Sequence, residues 1–107
     1  RGLGDVYKRQ FLRLVDHGQN LQKAADAPTF NTSHFPASFF PKRAELRSLD
    51  VEGRSDGSVV ADLQARGHAV TVGDDWSQGR LCAVARDHDL LKSASSARFT
   101  QGYAMGR

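Results

Sequence analysis

The chain has little of several things at once. Its 107 residues include one cysteine, one methionine, three prolines and no isoleucine. A lone Cys82 cannot close an internal disulfide, which excludes a stapled secreted mini-domain. No apolar run approaches the roughly 18 to 20 residues needed to span a bilayer, and no basic-then-apolar-then-small export pattern opens the chain. No membrane partner is therefore expected. Runs of five like charges, internal repeats and low-complexity tracts are all missing as well, and the length allows one domain at most.

What is present first is charge, and its location matters more than its sum. The formal net charge is +3 and the isoelectric point about 9.4. Arg1, Lys8 and Arg9 against Asp5 put most of that excess into the first ten residues, while Phe11 to Arg107 carry 12 basic against 11 acidic residues. The opening Arg1-Gly-Leu-Gly-Asp-Val-Tyr-Lys-Arg-Gln10 has no initiator Met. It resembles the in-frame translation of a sequencing-library transposon end, Asp5 to Gln10 reading as GAT GTG TAT AAG AGA CAG. Residues 1–10 are accordingly set aside as an adapter, and residues 11–107 are read as the biological sequence. From Phe11 onward nine Arg to three Lys, thirteen Ala and no Ile give the bias of a GC-rich bacterial gene.

Hydropathy patterning then suggests the elements. Phe11, Leu12, Leu14 and Val15 share one face of a short helix that Gly18 ends. Asn20 is an N-cap for a second helix in which Leu21, Ala24 and Ala25 share a face and Pro28 forbids extension. Thr29 to Arg47 has neither helix nor strand period, yet holds Phe30, Phe35, Phe39 and Phe40. Four such side chains need a surface to cover, and too little chain is left to supply it. Ser48 to Glu52 alternates as a strand, and a helix from Ser58 to Arg66 follows, capped by Ser55 or Asp56 and stopped at Gly67, with Val59, Val60 and Leu63 inward. His68 to Val72 alternates again, Val70 and Val72 sharing a side. Leu81 to Ala85 is a continuous apolar run, the pattern of a strand covered on both faces. Asp87-His88-Asp89 turns it back into Leu90-Leu91-Lys92. Strand, helix, strand and hairpin make an α/β or α+β arrangement.

The residues that carry chemistry do not assemble into a motif. His17, His34, His68 and His88 stand in no metal-ligand spacing, so no metal is expected. Cys82, inside an apolar strand, reads as a small buried hydrophobe. Asp16 and His17 are adjacent on a helix and do not face each other. No serine lies in a G-x-S-x-G turn, and Gly2-Leu3-Gly4 lacks the third glycine of a phosphate loop. Trp76, beside Asp74, Asp75 and Gly79, reads as packing a loop onto a sheet. Nucleic-acid binding needs a basic face interleaved with aromatics, and the phenylalanines have only Lys42 and Arg43 near them. No nucleic-acid partner and no cofactor is expected.

The order of the pieces carries a resemblance. Val15-Asp-His-Gly-Gln-Asn-Leu-Gln-Lys-Ala-Ala-Asp-Ala-Pro28 followed by Phe30-Asn-Thr-Ser-His34 resembles a segment of the gamma-glutamyltransferases (gamma-glutamyltranspeptidases). The likeness continues through Val51-Glu52, Val60 to Val70, Gly79 to Arg86 and Gly102-Tyr103-Ala104. Two departures stand out: Thr29 replaces the Arg that precedes the phenylalanine in relatives, and Ser96-Ala97-Arg98 replaces asx-pro-arg.

The resemblance implies the C-terminal part of the small subunit of an N-terminal-nucleophile hydrolase, a partial αββα sandwich of α+β class. It implies a precursor that cleaves itself and transfers or hydrolyses the gamma-glutamyl group of glutathione-like donors through an N-terminal Thr, with the remainder of that precursor as partner. Thr29, Thr32, Thr71 and Thr100 do not match the nucleophile motif, and Ser95-Ser96 is in the wrong part of the chain for the family's serine pair. No catalytic or substrate-binding residue transfers, so the chain alone is expected to be inactive and poorly folded. The rival reading is a small non-enzymatic α/β binding module.

Overall fold

The structure, a computed structural model, describes residues 4–100, with side chains described for 8–99. The expected likeness at Gly102-Tyr103-Ala104 lies outside the described residues. In chain order the elements are helix α1 (Gly4–Val15), helix α2 (Leu21–Asp26), strand β1 (Phe30–Asn31), strand β2 (Ser48–Glu52), helix α3 (Gly57–Ala65), strand β3 (Ala69–Gly73), strand β4 (Cys82–Asp87), strand β5 (Leu90–Ser95) and a 3-10 turn at Arg98–Thr100. They fall into two compact units. Residues 28–78 form one, and residues up to 27 together with those from 79 onward form the other.

In the unit of residues 28–78, β2 is the middle strand of a three-stranded sheet. Parallel neighbours need a crossover, and α3 provides it, so that β2 and β3 pair in parallel from Ser48 opposite Ala69 to Glu52 opposite Gly73. The β1 strand adds antiparallel, Phe30 opposite Val51. The Asp56 side chain caps α3 by accepting from the Ser58 N–H at 2.9 Å, and Gly67 ends it at a φ of 91° that only glycine adopts freely. Val59, Val60 and Leu63 were expected inward, yet no residue of α3 is fully buried and Val59 stays exposed. Thr29 to Arg47 was expected to hold no regular structure, but Phe30–Asn31 is drawn into the sheet as β1 by pairing with β2; residues 32–47 are irregular and are held by backbone bonds such as Glu45 N–H to Ser33 O at 2.8 Å. Their phenylalanines stay largely exposed, Phe40 at 93%, with Phe35 meeting the His34 ring edge-to-face at 5.3 Å.

In the other unit, α2 lies against β5 and β4. Ala24 and Ala25 on α2 and Ala94 on β5 are buried, small side chains that let helix and strand approach closely. Asn20 caps α2 as expected, its side chain accepting from the Lys23 N–H at 2.8 Å. The β4–β5 hairpin turns through His88 and Asp89, in register from Cys82 opposite Ser95 to Asp87 opposite Leu90.

Three expectations change here. Helix α1 starts at Gly4 rather than Phe11, because Lys8, Arg9 and Gln10 are good helix formers and no Gly or Pro lies between Asp5 and Phe11. Its packed side centres on buried Gln10 with Arg13 and Leu14 half-buried beside it, while Phe11, Leu12 and Val15 are exposed, since Gln10 and Arg13, one turn apart, bond to α2. The third concerns β4. Instead of being covered on both faces it is half-covered on the Ala83 and Ala85 side, where α2 lies, and open on the other among the described residues, so Val84 is 76% exposed and Cys82 is exposed rather than buried.

Candidate functional site

The most completely satisfied polar centre of the chain is Glu52, at the end of β2. Its side chain is fully buried, and a carboxylate out of water must be paired and hydrogen-bonded to be tolerated. One oxygen, Oε2, accepts the Thr29 N–H at 3.1 Å, and the other, Oε1, accepts the Gln78 N–H at 3.0 Å. The Arg54 guanidinium completes the set, Nη2 lying 3.2 Å from Oε2. Arg54 is fixed in turn by its Nε donating to the Asp75 carbonyl at 2.8 Å and by stacking 3.5 Å above the Trp76 ring. Trp76, expected to pack its loop onto a sheet, is instead 41% exposed and lies beneath the Arg54 guanidinium. Gly53 is required by the closeness of that loop: a Cβ there would sit 2.6 Å from Asp75 Oδ1 and 3.0 Å from Gly73 O.

Two concave features flank the same sheet. An apolar groove of about 340 Å³ lies between α3 and the sheet, lined by Phe30, Leu49, Val51, Val59, Val60 and Leu63. A second cleft of about 490 Å³ is lined by His34, Phe35, Arg47, Ser48, Arg66 and His68. Arg66 is already paired with Asp62 at 2.7 Å, and His34 Nδ1 accepts the Arg47 backbone N–H at 2.8 Å. This cleft therefore brings two of the four histidines together without a shared proton path or ligand geometry.

In the other unit, two arginines converge on the C-terminus of α2. Pro28 has no N–H, so the carbonyl of Ala24 lacks its usual helical donor. Arg13 Nη1 supplies one at 3.0 Å and also lies 3.4 Å from Ala27 O. Arg98, 3% exposed, donates from Nη1 to Ala25 O at 2.7 Å and from Nη2 to Asp26 O and Ala27 O at 3.3 and 3.0 Å. Cations at a helix C-terminus also complement its dipole. The departure at Ser96-Ala97-Arg98 keeps the arginine, and Ser96 Oγ accepts a further bond from it at 3.0 Å.

The Thr29 hydroxyl donates to Gln78 O at 2.8 Å and the Thr32 hydroxyl to Ser48 O at 2.6 Å, so both face carbonyls rather than a base. Thr71 is exposed on β3, and the side chain of Thr100 lies outside the described residues. Ser95 Oγ lies 3.5 Å from Cys82 Sγ across the hairpin. His88 occupies the hairpin turn at a φ of 53°. Among the described residues no three His, Cys, Asp or Glu side chains gather as a metal site, and no described helix is long and apolar enough to cross a membrane. Glu52, Arg13 and Arg98 carry the polar architecture; Glu52 and Arg98 fall within the segments of family likeness, but the sequence assigned none of the three this role. The available signal was an acidic residue at a strand end with Gly-Arg directly after it.

A solved structure of LmbA2991 is 45% identical and superimposes with a TM-score of 0.86, covering 96% of this chain and 19% of that one. Gamma-glutamyltranspeptidase from Pseudomonas nitroreducens, complexed with L-DON, is 20% identical with a TM-score of 0.68, over 97% of this chain and 48% of that one. Cephalosporin acylase from Bacillus halodurans is 23% identical with a TM-score of 0.68, over 86% of this chain and 16% of that one. The chain thus spans about a fifth of LmbA2991, and the two more distant likenesses show that its α+β fold is theirs. No curated protein sequence matches it. The family model described as gamma-glutamyltranspeptidase matches residues 7–106, and the chain belongs to that family.

Proposed function

We propose that this chain is the C-terminal part of the small subunit of a gamma-glutamyltransferase acting on glutathione-like donors, and that its own contribution is support rather than catalysis. The observation that carries the reading is the family match over residues 7–106 in a chain that spans only 19% of LmbA2991 and 48% of the Pseudomonas enzyme chain. The nucleophile belongs to the remainder of the precursor. There an N-terminal Thr hydroxyl attacks the gamma-glutamyl carbonyl while the alpha-amine takes its proton, and backbone amides stabilise the oxyanion. The leaving amine departs with a proton, and water or an amino acid amine then releases the glutamyl group. The hydroxyls of Thr29 and Thr32, both donating to backbone carbonyls, are consistent with this division of labour.

The test is the purified 107-residue chain incubated with gamma-glutamyl p-nitroanilide. It releases no p-nitroaniline on its own and supports release only when combined with the rest of the precursor. Turnover by the chain alone overturns the proposal.

A further inference from the structure

The chain enters the unit of residues 28–78 at Pro28 and leaves it at Gln78, and one side chain grips both ends. Each Glu52 carboxylate oxygen takes a different one: Oε2 holds the Thr29 N–H and Oε1 the Gln78 N–H. The ends are also tied to each other, since the Thr29 hydroxyl donates to Gln78 O at 2.8 Å. The Glu52 backbone N–H donates back to Thr29 O at 3.1 Å. Arg54 presses on the carboxylate from the remaining side and is itself held by Asp75 O and the Trp76 ring. A carboxylate fixed in this way cannot rotate to release one N–H and keep the other.

We propose that Glu52 is a latch that makes the two ends of this unit open and close as one step. Residues at the ends of compact units ordinarily fray one by one at almost no cost. Here, freeing Thr29 leaves the buried Oε2 with Arg54 as its remaining donor and at the same time breaks the Thr29 hydroxyl bond to the Gln78 carbonyl, so the loss at one end loosens the other. The stretch of some fifty residues between the two ends is thereby closed on itself, with its ends released together or not at all.

Amide hydrogen exchange on the 107-residue chain combined with the rest of its precursor, at low temperature in a graded denaturant series, tests this. The Thr29 and Gln78 amides exchange with one common opening free energy and one denaturant slope. Glu52→Gln, which keeps the shape but turns one acceptor into a donor, accelerates both amides together by about tenfold or more. Amides of the β2–β3 ladder change less than about twofold. Thr29→Val provides a second arm in case Glu52→Gln unfolds the chain. It removes only the hydroxyl bridge to Gln78 O, yet it also accelerates the Gln78 N–H, whose own acceptor is untouched; Thr29→Ser, which keeps the hydroxyl, does not. The latch is overturned if the two amides follow different slopes, if Thr29→Val leaves Gln78 unchanged, or if the parent chain exchanges throughout at random-coil rates.

Discussion

Replacing Arg98 by Met should remove more stability than any other single change in the unit that contains α2 and the β4–β5 hairpin. The carbonyls of Ala25, Asp26 and Ala27 all receive bonds from one guanidinium that is 3% exposed, and Met fills the volume without replacing a single donor. Hydrogen bonds to a charged group contribute about 1.5 to 3 kcal/mol each, and an orphaned buried acceptor costs about 1 to 3 kcal/mol. These bonds share one side chain and do not add fully, and Arg13 still reaches Ala27 O at 3.4 Å. The expected loss is therefore about 3 to 5 kcal/mol rather than the full sum. Set against a total of about 5 to 15 kcal/mol for a folded domain, that is a third or more of the whole. Far-UV circular dichroism during urea and thermal denaturation of the 107-residue chain reads the change, with a fall in melting temperature of about 15 °C or more. Arg98→Lys should rescue little, because a single ammonium cannot span the two nitrogens' separate acceptors. A midpoint for Arg98→Met within about 1 kcal/mol of the parent would refute the claim that this arginine holds the end of α2.

The remaining expectations are narrower. Gly53→Ala places a methyl 2.6 Å from Asp75 Oδ1 and 3.0 Å from Gly73 O. It should destabilise by about 1 to 3 kcal/mol in urea titration, and adding Asp75→Ala should recover only part, because the Gly73 carbonyl remains. Asp56 accepts the backbone and then the hydroxyl hydrogen bond of Ser58, which together hold its carboxyl below the ordinary carboxylate value. A depressed folded value means the stabilisation is present above the unfolded value and is lost as pH falls through the folded one. Asp56→Asn should therefore keep the cap at neutral pH and flatten the acid limb of α3 unfolding; an unchanged acid limb would contradict this. Trp76 is the only tryptophan, so Arg54→Met, which strips the cation from 3.5 Å above its ring, should shift its fluorescence. The contact is partly exposed, so its own contribution to stability should be no more than about 1 kcal/mol. An unchanged emission spectrum would count against the stacked geometry.

The elements most legible in the sequence were those marked by local chemistry. Asn20 and Pro28 bracket α2 as expected because capping and ring closure act within a few residues. Ser48–Glu52 emerged with the expected bounds, and Asp87-His88-Asp89 turned the hairpin. What the sequence concealed was which side of each element faces its partner. In α1 the apolar positions predict one face, yet of them only Leu14 is half-buried, and Gln10 and Arg13 lead the contact with α2, because the Ala24 carbonyl that Pro28 leaves without its donor attracts Arg13 more specifically than methyl groups attract each other. Glu52 was hidden for a related reason. In a period-2 pattern an acidic residue at a strand end reads as solvent-facing, and only the return of the chain at Gln78, 26 residues later, reveals that two amides are waiting for it.

That contrast bears on the chain's role. The polar junctions, Glu52 with its three donors and Arg98 with its four acceptors, are closed by residues of this chain alone. The apolar surface is not: Val84, Leu90 and Leu91 on the hairpin, the groove beside α3, and Phe35, Phe39 and Phe40 remain largely exposed among the described residues. Hydrogen bonds define where each segment must go, while burial of apolar area supplies most of the free energy for staying there. A chain that has the first and little of the second holds its local geometry accurately but contributes a small driving force of its own. This is the distribution expected of a supporting part of a larger sandwich. It carries a direct consequence: the rest of the precursor should raise the melting temperature of this chain on binding, by an amount that increases with the concentration added. A melting temperature independent of that concentration would mean that the exposed faces have no role in the assembly.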